Sequence, residues 1–210
     1  MANSRAIGAA PVMRTLADAA FPAWDSTRAG PLLRAVLLVA GGALLTAVAA
    51  QLSFRMPWSA VPYTGQTGAV LLVGTVLGWR LGAASMLLYV LMGTAGAPVF
   101  AGGAHGTAQL LGVTGGYLAG FVLAAALVGT LAQRGWDRSA ASAAALMAAG
   151  NLVIYAIGVP VLAVAAGMSL PDAAWSGAAV FLPWDAAKIA LAAGLLPLAW
   201  RAVGGRRQQT

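Results

Sequence analysis

The chain has 210 residues, and among them there is no cysteine and no glutamate. Without cysteine there are no disulfides, no thiolate nucleophile and no thiolate metal site. Without glutamate, the acidic inventory shrinks to Asp18, Asp25, Asp137, Asp172 and Asp185. Histidine occurs once, at His105, and lysine once, at Lys188. That leaves little with which to run acid and base chemistry. His105 has no cysteine or glutamate companions from which to build a metal centre, so it reads as a lone polar loop residue. A serine hydrolase would need a nucleophile elbow, and the chain has none. The only lysine follows Ala187, so no Gly-Lys dipeptide exists and the Walker A phosphate cradle is missing. The expectation is a protein with no catalytic residues, no metal and no cofactor, whose use of ATP, if any, runs through partners.

Charge of either sign is scarce at 8%, while 60% of the residues are hydrophobic and mean hydropathy is +0.84. A soluble globular domain is far less apolar. At about 20 residues per crossing, the chain has room for about six transmembrane helices and no second domain. The net charge of +7 does not point to nucleic acid, because the arginines punctuate apolar runs instead of clustering on one face. No apolar run precedes Leu32, so the first segment does not read as a secretory signal.

The apolar runs predict helices over residues 35–54, 66–93, 115–133, 140–166 and 178–200. The second is interrupted by Gly78-Trp79-Arg80-Leu81-Gly82, which reads as a tight turn between two short helices. The predicted fold class is therefore an all-α membrane protein, a six-transmembrane-helix bundle with both termini cytoplasmic. Residues 1–31 form an N-terminal tail with an interfacial helix around Phe21 and Trp24, residues 32–202 the membrane domain, and residues 203–210 a basic tail. Arg5, Arg14, Arg28, Arg34, Arg80, Arg134, Arg138, Arg201, Arg206 and Arg207 fall on the terminal side, with Arg55 alone on the other. The positive-inside rule places the richer side in the cytoplasm. No internal repeat is evident, which weakens an inverted-repeat transporter architecture. Gly74, Gly78 and Gly82, and likewise Gly112, Gly116 and Gly120, recur every four residues, the spacing that lets helix backbones approach closely.

Two segments carry polar chemistry. In Pro183-Trp184-Asp185-Ala186-Ala187-Lys188, the two ionisable groups lie three apart on one helical face. Charges inside a span cost a few kcal/mol each, so they serve either as a self-neutralised packing pair or as the polar end of a pocket. The second segment, residues 93–120, is dense in glycine. Irregular backbone at membrane depth survives only when buried in protein or lining a cavity. Its Gly102-Gly103-Ala104-His105-Gly106 has no βαβ context and is not a nucleotide-binding turn.

Several motifs in order resemble the BioY family, the biotin-specific substrate-binding (S) components of energy-coupling factor (ECF) transporters. They are residues 61–67 (VPYTGQT), Leu88-Tyr89 leading to residues 93–103 (GTAGAPVFAGG), residues 114–121 (TGGYLAGF) and residues 181–188 (FLPWDAAK), and the resemblance runs from Leu32 to Trp200. It implies a multi-pass bacterial cytoplasmic-membrane protein that binds biotin in a pocket open to the outside. It implies Asp185 and Lys188 as ligand contacts, with Tyr117, Phe100, Gln66 and Trp184 in matching motifs and Thr107 in the glycine-rich loop as further ligand-binding residues. It also implies partners, namely a membrane coupling protein and two cytoplasmic ATPases, with Ala43 and Ala47 of the first helix as a docking seam that would equally suit packing within the bundle. A self-sufficient secondary transporter for a small organic acid is the alternative.

Overall fold

The computed structural model describes residues 15–20 and 30–206. The interfacial helix expected around Phe21 and Trp24, together with Arg5, Arg14, Arg28 and Arg207, lies outside the described residues. The elements are α1 (Leu16–Ala20), α2 (Gly30–Gln51), a two-stranded antiparallel pair β1 (Ser53–Phe54) and β2 (Tyr63–Thr64), α3 (Gln66–Thr94), α4 (Ala108–Leu111), α5 (Gly115–Gln133), α6 (Ala140–Ala166), α7 (Leu170–Gly177) and α8 (Leu182–Arg206). Five helical segments among these residues are long and apolar enough to cross a membrane. Their starts and ends follow the hydropathy of the sequence, because in a bilayer only a helix satisfies its own backbone polar groups.

α3 is not one straight rod. Gly78 has φ 80° and ψ 174°, a conformation that is almost exclusive to glycine. The chain doubles back there: a Cβ on Gly82 would lie 2.7 Å from Gly74 Cα, and Gln66 Nε2 donates to Tyr89 OH at 2.5 Å. In a continuous helix those last two residues would stand about 35 Å apart. The turn expected at Gly78–Gly82 is thus a helical hairpin with arms 66–77 and 79–94. Three of the fourfold-spaced glycines make the close approaches to a neighbouring helix that their spacing suggests. Gly74 lies against Ala125 of α5, and Gly116 and Gly120 lie against Val161 and Ile154 of α6. Gly112, by contrast, meets only its own loop.

Packing runs from α2 to α3, α5, α6 and α8, and the row closes through contacts between α8 and α3. The core is a contiguous set including Val70, Met86, Tyr89, Phe121, Val128, Leu146, Ile154 and Leu162. Outside it stand large apolar side chains in the open, among them Leu37, Val48, Leu91, Leu152, Val164 and Leu195. Water would penalise such a surface, whereas lipid accepts it. Ala43 is fully buried and Ala47 nearly so, so the expected docking seam faces inward against α3: a Cβ on neighbouring Gly42 would clash with Ser85 and Val73. The face that α2 leaves open is Leu33, Leu37, Gly41, Leu44 and Val48.

The two ends of the bundle differ in charge. At one end the Gly78 turn meets Thr15 and Gln133, and Arg34 pairs with Asp18 at 2.8 Å. Partial burial works against ionisation of Asp18, but hydrogen bonds from Arg34 and Thr15 outweigh it and hold the carboxyl below its ordinary value. At the same end Arg138 lies over the Trp200 ring and Asp137 accepts the Trp200 indole N–H. Arg80, Arg134 and Arg201 belong to this end by chain position. The opposite end carries β1, β2, the glycine-rich loop and α7, with Arg55 as its one arginine among the described residues.

Candidate functional site

The site forms where α8 begins. Pro183 is tolerated in the first helical turn, and Asp185 there interacts favourably with the helix N-terminus. One turn on, Lys188 Nζ lies 2.6 Å from Asp185 Oδ1. Asp185 is buried and Lys188 is largely so, and charge withdrawn from water costs several kcal/mol unless geometry and further hydrogen bonds compensate. Compensation comes from two other helices. Lys188 Nζ donates to Thr67 Oγ1 of α3, and Tyr155 OH of α6 donates to Asp185 Oδ2. Asp185 Oδ1 takes no hydrogen bond besides the ammonium contact. Gly68 leaves space for the lysine stem, since a Cβ there would lie 3.2 Å from Lys188 Cδ.

Beside this cluster lies a cavity of about 180 Å³. Its polar lining includes Lys188, Tyr155, Thr67, Gln66, Gln109 and Arg55, and its apolar walls include Phe100, Tyr117, Leu118, Phe121, Val113 and Phe181. Few polar groups in an otherwise apolar concavity is the usual composition of a small-molecule site. A second, more open hollow at the same end of the bundle is lined by Ser53, Gly102, Gly103 and His105. Arg55, Pro62, Ala101, Ala104 and Gln109 border both hollows and so lie between them. Among the described residues Arg55 makes no salt bridge.

The walls are fixed by internal bonds. Phe100 is seated on Gly93, where a Cβ would come within 2.1 Å of the ring, and it meets Tyr89 edge-on at 5.5 Å. Tyr89 OH donates to Val99 O at 3.1 Å, and Gln51 Nε2 to Phe100 O at 3.3 Å, so the glycine-rich loop is pinned over the cavity. Gln66 is occupied at both ends of its amide, by Thr64 Oγ1 and by Tyr89 OH. Tyr117 donates to Gly177 O at 2.8 Å and meets Tyr155 edge-on at 6.5 Å. Ser59 donates to Ser176 O at 2.8 Å, which ties the first loop to α7.

Of the residues expected at the site, Lys188, Tyr117, Phe100 and Gln66 line the cavity, and Asp185 lies directly behind the lining. Two do not reach it. Trp184 is 42% exposed, donates to Thr64 O at 3.4 Å and packs on Phe54, because one residue along a helix turns the side chain by about 100° away from Asp185. Thr107 is exposed at the start of α4, and the loop's polar contribution to the cavity is Gln109 instead. The reading of the sequence missed Tyr155 and Thr67 and gave Arg55 no ligand role. Tyr155 and Arg55 carried a signal: a tyrosine amid an apolar helix, and the one arginine of its side. His105 is an exposed loop residue whose ring nitrogen contacts Gly103 O at 3.2 Å, and among the described residues no group of side chains suits a metal ion.

Comparison with known proteins bears on the family and the fold. The model of the BioY family matches residues 15–205. A biotin transporter BioY from Rhizobium etli is 35% identical over 140 residues, covering 63% of this chain and 74% of that protein. A probable biotin transporter BioY from Pyrococcus horikoshii is 46% identical over 123 residues, 59% of this chain and 70% of that one. Among solved structures, the S-component for biotin from an ECF-type ABC transporter superposes with a TM-score of 0.74 at 20% identity, covering 84% of this chain and 95% of that chain, a likeness of fold.

Proposed function

Because this chain belongs to the BioY family, we propose that it captures biotin in the cavity beside Lys188 and serves as the substrate-binding subunit of an ECF-type importer. It is a transport protein and not an enzyme. The observation that carries this reading is the ion pair of buried Asp185 with Lys188 at the wall of an aromatic-lined cavity. The ureido ring of biotin offers two N–H donors and one carbonyl acceptor, and the wall at this cluster offers the Lys188 cation together with the Tyr155 hydroxyl oxygen. The valeryl chain ends in a carboxylate, which suits Arg55 at the mouth and would be repelled by Asp185. The ring system thus lies inward and the acid outward.

The hairpin form of α3 supports six crossings: α2, the two arms of α3, α5, α6 and α8. An even number returns the chain to the arginine-rich end, which the positive-inside rule assigns to the cytoplasm of the bacterial inner membrane. The cavity then faces outward. A coupling protein and two ATPases would supply the work of release, with the open face of α2 available for docking in place of Ala43 and Ala47.

Titration calorimetry of the purified protein tests the reading. Saturable one-to-one binding of biotin is expected, and absence of any heat of binding at micromolar ligand would sink it. Uptake into liposomes holding this chain alone, compared with uptake when ATPases and coupling protein are added, separates the importer subunit from a self-sufficient transporter.

A further inference from the structure

Asp185 is only 3% exposed and does not border the cavity; the groups that do are Tyr155 and Lys188. A carboxylate sealed behind other side chains cannot itself receive a ligand's N–H. Tyr155 projects from α6, its ring held edge-on against Tyr117, and its one hydroxyl proton is spent on Asp185 Oδ2. The phenolic oxygen keeps its lone pairs, and a hydroxyl donating to a carboxylate becomes a stronger acceptor, because chained hydrogen bonds polarise one another. Lys188 faces the same space with donors alone, and its ammonium is steadied by Thr67. The wall therefore presents one acceptor and one cation side by side.

We propose that Tyr155 is a ligand-binding residue that relays the charge of Asp185 to the substrate: the phenolic oxygen accepts a ureido N–H while Lys188 donates to the ureido oxygen. This rests on the reading that the cavity takes biotin. The ligand class is then narrower than apolar acids of the right size. It requires an N–H beside a carbonyl, as cyclic ureas and lactams have, and it disfavours a ring oxygen in the N–H position, which would set lone pairs against lone pairs.

The test compares wild type with Tyr155→Phe by calorimetry, using biotin, the two cyclic carbamates in which one or the other ureido N–H is replaced by oxygen, and the thiocarbonyl analogue of biotin. Wild type should bind one carbamate at least tenfold more weakly than biotin. Tyr155→Phe keeps the ring packing, should weaken biotin at least tenfold, and should bring biotin and that carbamate within about twofold of each other. The ratio of biotin to the thiocarbonyl analogue, which reports on Lys188, should not move. A purely structural role would weaken all ligands in proportion and leave every ratio intact, and that result overturns the proposal. Wild type binding biotin and both carbamates equally well overturns it without any variant. Wild type failing to bind biotin at all overturns the transport reading as well, so the two failures are distinguishable.

Discussion

Two aspartates are buried among the described residues, one at each end of the bundle, and their surroundings are opposite. Asp185 has an ammonium at 2.6 Å, a phenol on its other oxygen and a cavity beyond them. Asp137, fully buried in the turn between α5 and α6, accepts the Trp200 indole N–H at 2.6 Å, while its Oδ1 has no partner. It borders neither hollow. Desolvation pushes the Asp137 carboxyl above its ordinary value, against smaller opposing effects from Trp200 and from Arg138. Burial of a carboxylate is thus no mark of a binding site by itself. What distinguishes Asp185 is a counter-charge placed so that a ligand can reach one side of it.

The sharpest way to break that contrast is to remove the cation. Lys188→Ala should lower biotin affinity by about 100-fold, roughly 2.7 kcal/mol, because the ureido oxygen loses its donor and Asp185 is left uncompensated. Calorimetry at matched pH reads it, and near-wild-type affinity would remove Lys188 from the site. Next, Asp185→Asn should cost more than tenfold, about 1.4 kcal/mol or more, since an amide relays less charge through Tyr155 than a carboxylate. Arg55→Gln is expected to cost about fivefold for biotin but almost nothing for its methyl ester. An equal loss for both ligands would mean that the acid end does not meet Arg55.

The smallest effect is expected at Asp137, whose replacement by Asn should leave biotin affinity unchanged. Its signature lies in stability. A carboxyl whose value is raised on folding binds protons more readily in the native state, so stability falls as pH rises above the unfolded value of about 3.9. Asp137→Asn should abolish that decline in thermal unfolding scans between pH 4 and 8. If the variant instead loses stability at pH 7, the buried carboxylate is a net support and the contrast with Asp185 is weaker than drawn.

The helices were legible from sequence because lipid imposes one demand, an apolar run long enough to satisfy its own backbone, and each span shows it. The turn at Gly78 was legible because a short glycine-bounded segment carrying Arg80 interrupts such a run. Asp185 and Lys188 stood out because charge within a span is costly. Thr67 did not, since a short hydroxyl side chain in an apolar helix bonds its own backbone as readily as a distant partner; Thr75, Ser85 and Thr130 do so here. For Ala43 and Ala47 the sequence leaves a docking seam and packing within the bundle equally open, because small residues four apart fit any close contact, and the structure shows the packing. Trp184 shares a motif with Asp185 but not a helical face.

The hairpin at Gly78 also bears on the bilayer itself. Its arms, about 18 Å and about 24 Å at 1.5 Å per residue, fall short of a hydrocarbon slab of about 30 Å. Where the second arm presents Leu87 and Leu91 outward, the adjoining acyl chains must compress to meet it, at a fraction of a kcal/mol per Å of mismatch. On the proposed reading of six crossings, the protein would sit in a dimple of its own making, and a solute held between α3 and α8 would have less oil to cross than the thickness of the surrounding membrane suggests.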